Sequence, residues 1–147
     1  MDAKKYLGQL KLLDARINNS RQELASLRRM LQDMQGVDYS APKVQVSHAG
    51  SAMEKNMARY LQLEQEVGDN VKKLSVLRHD ITRQINSLDN AVFVRLLFLR
   101  YVEYMNLAEL ADTMGYSYQH ARRLHGYALQ SFTDYNREVL QKMKSGY

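Results

Sequence analysis

The sequence predicts an all-α protein, made of a long antiparallel coiled-coil helical hairpin followed by a C-terminal helix-turn-helix module. Proline occurs once in 147 residues, while Leu, Met, Arg, Gln and Glu, which favour helices, are plentiful. Two apolar stripes at coiled-coil spacing occupy the first 88 residues, and a broader apolar pattern follows them. The length fits one domain, or a small domain with a long appendage.

The first apolar stripe predicts a long helix that ends before Gly36, where a C-terminal cap would lie. Its members step by alternating fours and threes, a repeat that implies a left-handed supercoil with a partner helix. All but one of them are apolar: Tyr6, Leu10, Leu13, Ile17, Ser20, Leu24, Leu27, Leu31 and Met34.

The second stripe predicts a helix that folds back on the first. Residues 36–51 contain the only proline and two of the seven glycines, so we expect a loop there. A loop of this length lets residues 1–88 form an antiparallel hairpin. The second stripe comprises Met53, Met57, Tyr60, Glu64, Val67, Val71, Leu74, Arg78, Ile81, Ile85 and Leu88.

The hairpin is also predicted to mediate oligomerisation. Two helices bury little surface by themselves, and another copy of the chain can complete such a core. We therefore expect a homodimer or a higher homo-oligomer. Further apolar residues away from the stripes offer a second surface for this contact: Leu12, Leu61, Leu63, Val76 and Leu77.

Residues 89–147 are predicted to form a helix-turn-helix with an additional C-terminal helix. Asn106 and Glu109 have the spacing of a capping box, which starts a short helix. Gly115 ends that helix, and Ser117 is placed to cap a second helix from Tyr118. The apolar residues before and within the pair face inward in this prediction: Val92, Phe93, Leu96, Leu97, Leu99, Val102, Leu107, Leu110, Ala111, Met114, Ala121, Leu124, Ala128 and Leu129. A later stripe of Phe132, Tyr135, Val139 and Met143 extends the helical pattern to about residue 143, where it packs on the hairpin or on a second subunit.

The exposed face of the second helix suits contacts with double-stranded DNA. The chain carries a net charge of +5, and no acidic residue lies between Asp112 and Asp134. Arginine pairs with guanine edges, glutamine pairs with adenine, and both reach phosphates. His125 and Tyr127 continue this face, although a basic face can also be only solvated. The predicted DNA-binding residues are Ser117, Tyr118, Gln119, His120, Arg122 and Arg123.

Residues 88–132 resemble the helix-turn-helix of sigma-factor region four, and more closely the ArpU and RinA-like phage transcriptional regulators of Gram-positive bacteria. The segments that carry the resemblance are RYVE at 100–103, LAELADTMGYS at 107–117 and QHARRLHGYAL at 119–129. The N-terminal MDAKKYLGQLKLLDARIN also looks like the opening of that family, and a long hairpin precedes the module in its members. The sequence departs from the family at Tyr118, where a basic or small polar residue is common. It departs again at Ala121, which replaces a larger branched residue.

The resemblance implies a DNA-binding regulator encoded by a phage or prophage and linked to late-gene expression. The resemblance further implies that five residues occupy recognition-helix positions: Tyr118, Gln119, His120, Arg122 and Arg123. The bacterial cytoplasm is the expected location, because no apolar signal core or membrane-spanning run is found in the sequence.

The sequence contains no recognisable set of catalytic residues, so we expect a protein that is not an enzyme and needs no cofactor or metal. The absence of cysteine excludes disulfides and thiolate metal sites. The four histidines are scattered, and no phosphate-binding loop or nucleophile turn occurs.

Two alternatives to the regulator remain open. In one, the protein is an assembly or adaptor protein whose helix-turn-helix docks on RNA polymerase or a phage component. The near-neutral charge of residues 89–147 favours it. In the other, it is a DNA-packaging subunit like small terminase subunits, which forms rings on DNA.

Overall fold

The computed structural model describes residues 1–35 and 43–145, and within these ranges all regular structure is helical. The all-α prediction is therefore confirmed. The helices are α1 (Ala3–Leu7), α2 (Gln9–Gln35), α3 (Lys43–Asn86), α4 (Ala91–Leu97), α5 (Leu107–Met114), α6 (Tyr118–Tyr135) and α7 (Arg137–Ser145), and a π-helical turn (Phe98–Val102) continues α4.

The chain divides into two compact units. The large unit comprises Met1–Leu13 and Leu74–Tyr147, and the small unit comprises Asp14–Lys73. This division differs from the predicted boundary between residues 88 and 89. The reason is that Leu10 and Ile85, from the predicted hairpin, bury their side chains in the same core as the C-terminal helices.

The core of the large unit combines the N-terminal residues with the C-terminal helices. The Tyr6 and Phe132 rings pack with their centroids 6.1 Å apart, and the Tyr6 hydroxyl donates to Gln84 Oε1 at 2.8 Å. The C-terminal stripe therefore packs on α1 through Phe132, but Tyr135 and Met143, which were predicted to pack with it, are exposed. The buried core residues are Ala3, Tyr6, Leu7, Leu10, Ile81, Ile85, Leu88, Leu96, Leu97, Leu99, Tyr101, Val102, Leu110, Ala111, Ala121, Ala128, Phe132 and Leu140.

The small unit contains parts of α2 and α3. Arg59 forms an ion pair with Glu23, and the Asn56 amide contacts the sulfur atoms of Met30 and Met34 at 3.4 and 3.7 Å. Earlier residues of α2 thus contact later residues of α3, so the two segments run in opposite directions within this unit. Its buried apolar side chains are Ile17, Leu27, Leu31, Leu63 and Val67.

The second stripe follows a different line from the predicted one. Four predicted members are exposed: Met57, Glu64, Val71 and Arg78. Less exposed residues, one position earlier in each case, replace them: Asn56, Leu63, Asn70 and Leu77. The inward line steps by three and then four from Met53, so alternate members had been placed one residue too late. Leu63 and Leu77 therefore face inward and do not form a second surface.

One helix boundary also differs from the prediction. Helix α3 begins at Lys43, so residues 43–51 are helical although a loop was predicted over 36–51. The sequence has no proline after position 42, so no proline interrupts the helix from Lys43 onwards. The rest of that loop and the cap predicted at Gly36 lie outside the described residues. Near the C-terminus, Asn136 separates α6 from α7, so an additional C-terminal helix follows α6 as predicted.

Candidate nucleic-acid interface

The start of α5 is held by the predicted cap. Asn106 Oδ1 accepts a hydrogen bond from the Glu109 backbone N–H at 2.9 Å. The contact from Glu109 back to Asn106 has a different donor from the predicted one. The side-chain amide of Asn106, and not its backbone N–H, donates to Glu109 Oε1 at 2.7 Å. Both contacts fix the first turn of α5, which leads directly to the glycine turn.

The turn between α5 and α6 places the N-terminus of α6. Gly115 adopts the left-handed conformation, with φ +73°, and the N–H of Tyr116 donates to the Ala111 carbonyl at 2.9 Å. This geometry ends a helix and favours glycine because a side chain there is strained. Ser117 Oγ then accepts from the His120 N–H at 3.1 Å, so α6 starts at Tyr118 as predicted.

The inner sides of α5 and α6 belong to the core of the large unit. Leu110 and Ala111 of α5 are buried, as are Ala121 and Ala128 of α6. The other four predicted inward residues are half-buried: Leu107, Met114, Leu124 and Leu129. These eight residues therefore lie on the inner side of the two helices, as predicted.

Five of the six predicted DNA-binding residues are exposed: Ser117, Tyr118, Gln119, Arg122 and Arg123. The sixth, His120, is half-buried, and its ring packs edge-on against Tyr116 with centroids 4.9 Å apart. Gly126, Tyr127 and Gln130 extend the exposed surface along α6. We call the residues Gln119, Arg122, Arg123, Gly126 and Gln130 the outer face of α6.

The outer face carries positive charge without nearby acidic residues on the same helix segment. No Asp or Glu occurs from residue 113 to residue 133. Within residues 1–35 and 43–145, no ion pair includes Arg122 or Arg123. Both guanidinium groups are therefore available for an anionic partner.

His125 does not join this face, contrary to the prediction. It is 9% exposed, and its Nε2 lies 2.7 Å from the Tyr101 hydroxyl in a hydrogen bond. Burial lowers the pKa of His125 to about 4, and the positive charges of Arg100 and Lys4 lower it further. Burial also raises the pKa of Tyr101 to about 12. Residue 125 follows Ala121 by about one helical turn, so its side chain lies on the buried side of α6. Because its pKa is about 4, the ring is neutral at physiological pH.

Two contacts of Arg100 that support the start of α5 and α6 were not predicted from the sequence. Arg100 donates through Nη1 to the Met105 carbonyl at 3.0 Å, and its guanidinium lies 5.5 Å from the Tyr101 ring centroid. Tyr101 in turn bonds His125 on α6, so these residues join the segment before α5 to α6. The only related signal in the sequence was the position of Arg100 at the margin of an apolar helix, where a charged side chain is usually solvated.

The described parts of the chain contain no group of three or more His, Cys, Asp and Glu residues that could hold a metal ion. None of the helices searched there is long and apolar enough to cross a membrane. Comparison of the chain with protein-family models, with curated proteins and with solved structures gives no match. The resemblance of residues 88–132 to phage regulators therefore stays a prediction.

Proposed function

We propose that the protein is a sequence-specific DNA-binding transcriptional regulator of phage or prophage type, which reads the major groove with the first turns of α6. The observation that carries this proposal is the exposed pair Arg122 and Arg123 on an acid-free helix face. The Gly115 turn and the Ser117 cap place the start of that helix at the surface.

The outer face holds the side chains that read bases and bind phosphates. Arginine forms two hydrogen bonds with the edge of guanine, and glutamine does so with adenine. Arg122, Arg123 and Gln119 therefore supply base-reading groups, while Ser117, Tyr118 and His120 lie where phosphates would flank the helix. Positive charge without neighbouring carboxylates also favours approach to the polyanionic duplex.

The buried side of α6 supports this proposal because base reading needs a rigid helix. Ala121, Ala128 and Phe132 are buried in the core of the large unit. The hydrogen bond between His125 and Tyr101 adds a polar contact of defined geometry inside that core. Rotation of α6 about its axis would break this bond and expose apolar surface.

We also propose that a second copy of the chain completes the small unit. Within that unit, α3 has an outer apolar line at coiled-coil spacing, formed by Met57, Leu61 and Val71, all of which are exposed. A dimer would present two α6 helices to half-sites about one helical turn apart, ~34 Å along the duplex. Its binding site would then have twofold symmetry.

Selection from a pool of random duplex DNA at near-physiological salt tests the proposal. Enrichment of one motif would establish sequence reading, and a twofold-symmetric motif would support the dimer. Binding without enrichment would contradict base reading and favour the packaging subunit. Absence of binding would favour the adaptor that docks on RNA polymerase or a phage component.

A double variant tests the residues. We expect Arg122→Ala with Arg123→Ala to weaken binding by at least about tenfold, and to reduce the salt slope by up to about two. The charge-matched control is Arg83→Ala with Arg95→Ala, which removes two exposed arginines from other helices of the large unit. Fluorescence anisotropy with the enriched duplex measures both. Equal losses in the two double variants would show that only net charge matters.

A further inference from the structure

Gly126 lies in the interior of α6, at a position where glycine weakens a helix. It is solvent-exposed, and a Cβ atom built on it would meet nothing within 4 Å. Glycine in the middle of a helix is destabilising compared with alanine, because it loses more backbone freedom on folding. An alanine would therefore fit the free protein better than the glycine that is present.

The glycines at two other positions have reasons within the chain itself. A Cβ atom on Gly8 would lie 3.1 Å from the Lys4 carbonyl oxygen, which is closer than ordinary contact. Gly115 has a φ of +73°, which residues with side chains rarely adopt. Gly126 has neither a close neighbour nor a positive φ. Gly68 likewise has no close neighbour, and it lies along the outer line of α3 that a second copy is proposed to cover. What sets Gly126 apart is its place on the basic outer face of α6, which a partner of a different kind can approach.

The neighbours of Gly126 indicate the chemistry of that partner. Residues three and four apart share one face of a helix, so Gly126 follows Arg123 and Arg122 and precedes Gln130 on the outer face. The adjacent Tyr127 is 64% exposed. The face is basic and polar and has no acidic residue from 113 to 133, which suits an anionic surface.

We infer that the sugar–phosphate backbone of duplex DNA packs directly against the α6 main chain at Gly126. The inference rests on the proposed function. At about 1.5 Å per residue, Gly126 lies roughly 13 Å from the start of α6. Because the major groove is about 12 Å wide, a helix that enters by its first turns meets a flanking strand near this point. The missing Cβ lets the strand come close, where Tyr127 and Gln130 can donate to its phosphates.

The inference predicts that one substitution changes stability and binding in opposite directions. We expect Gly126→Ala to raise the Tm by roughly 2–4 °C because alanine favours the helix. The same variant should weaken binding to the enriched duplex by at least about fivefold, because its methyl group separates the two surfaces. Gly126→Leu should weaken binding further. Thermal denaturation and fluorescence anisotropy measure the two quantities.

Asn19→Ala is the control. Asn19 is exposed in α2, away from the outer face of α6 and from the outer line of α3, and asparagine favours a helix less than alanine does. We expect its Tm to rise as well, while DNA binding stays within about twofold of that of the unsubstituted protein. Sedimentation velocity on both variants checks that subunit assembly is the same.

The results separate this inference from the proposed function. If the Arg122 and Arg123 double variant loses binding while Gly126→Ala binds as tightly as the unsubstituted protein, the inference is wrong and the regulator stands. Equal losses in Gly126→Ala and Asn19→Ala would also overturn it, because the effect would then come from a change in helix stability and not from the surface at Gly126. If the unsubstituted protein fails to bind any duplex, the proposed function and the inference fall together.

Discussion

The large and small units reach their folded state by different means. Of the buried apolar residues in the described chain, the large unit has 18 and the small unit has five. The large unit also contains Asn106 and Ser117 helix caps and a buried hydrogen bond between Tyr101 and His125. The small unit consists of two helix segments with a narrow apolar seam. The comparison shows that the large unit has a broad core of its own, whereas the described residues of the small unit share only a narrow seam.

The amount of buried apolar surface explains this difference. Each buried aliphatic or aromatic side chain contributes about 1.5–3 kcal/mol, and this gain must exceed the conformational entropy lost on ordering the chain. Two antiparallel helices cover only one side of each other, so a large part of each remains in water. The exposed Met57, Leu61 and Val71 are that uncovered surface in the small unit.

The largest expected effect comes from removing a ring from the core of the large unit. Phe132 is fully buried and packs against Tyr6. We expect Phe132→Ala to lower the free energy of unfolding by about 3–5 kcal/mol through lost transfer energy and a new cavity. Urea denaturation followed by circular dichroism measures the change. The corresponding substitution in the small unit, Leu31→Ala, should cost about 2 kcal/mol, because a smaller side chain is removed and a narrow two-helix seam can collapse around the gap.

A larger loss for Leu31→Ala than for Phe132→Ala would contradict the comparison. It would place the main stabilising core in the small unit. Hydrogen exchange followed residue by residue offers an independent check, since amides of α6 should then exchange faster than those of α2.

Acid should destabilise the large unit through His125. The pKa of His125 is near 6.5 in the unfolded chain, and burial lowers it to about 4 in the folded protein. Above pH 6.5 the His125 ring is neutral in both the folded and the unfolded protein, so it does not lower the free energy of unfolding. As the pH falls between these two values, only the unfolded state binds the proton, and about 3 kcal/mol is lost at most. Urea denaturation at about pH 7 and about pH 4 measures the loss.

Two histidine variants separate His125 from the general effect of acid. His125→Gln cannot bind the proton, so we expect its stability to fall less between those pH values than that of the unsubstituted protein. His79, which is exposed in α3, provides the control, and His79→Gln should keep the full loss. The same slope in all three proteins would show that His125 does not control the acid response.

The smallest effect on folding, and a clear effect on assembly, is expected for Leu61→Ser. Leu61 is 58% exposed, so its removal should change the free energy of unfolding of a monomer by less than about 0.5 kcal/mol. If a second copy covers the outer line of α3, the dissociation constant of the assembly should rise by about tenfold or more. Sedimentation equilibrium measures the constant. An unchanged constant would show that the small unit is not completed through this line.

Local signals in the sequence were sufficient for the parts of the candidate site that depend on nearby residues. The cap at Asn106, the left-handed turn at Gly115 and the cap at Ser117 each depend on contacts within a few positions. Helical periodicity placed Ala121 and Ala128 inward and Arg122 and Arg123 outward for the same reason. The outer face of α6 was therefore predictable, except for its continuation at His125.

The placement of His125 and the line of the second stripe show where periodicity failed. Polarity favoured an exposed His125, but Tyr101, 24 residues earlier, supplies a hydrogen-bond partner that makes its burial possible. Along α3, apolar residues occur on both the inner and the outer lines, so composition did not reveal which line faces α2. The burial of Leu63 and the packing of Leu77 against the core of the large unit settled it.

Helix content, the capped turn and the basic face of α6 follow from the order of the amino acids, because backbone hydrogen bonds and side-chain periodicity act over one or two turns. The packing of Tyr6 against Phe132, the burial of His125 and the division into Met1–Leu13 with Leu74–Tyr147 and Asp14–Lys73 were decided by the tertiary structure. These features join residues far apart in the chain, and their free energy depends on surfaces that exist only once the helices have packed.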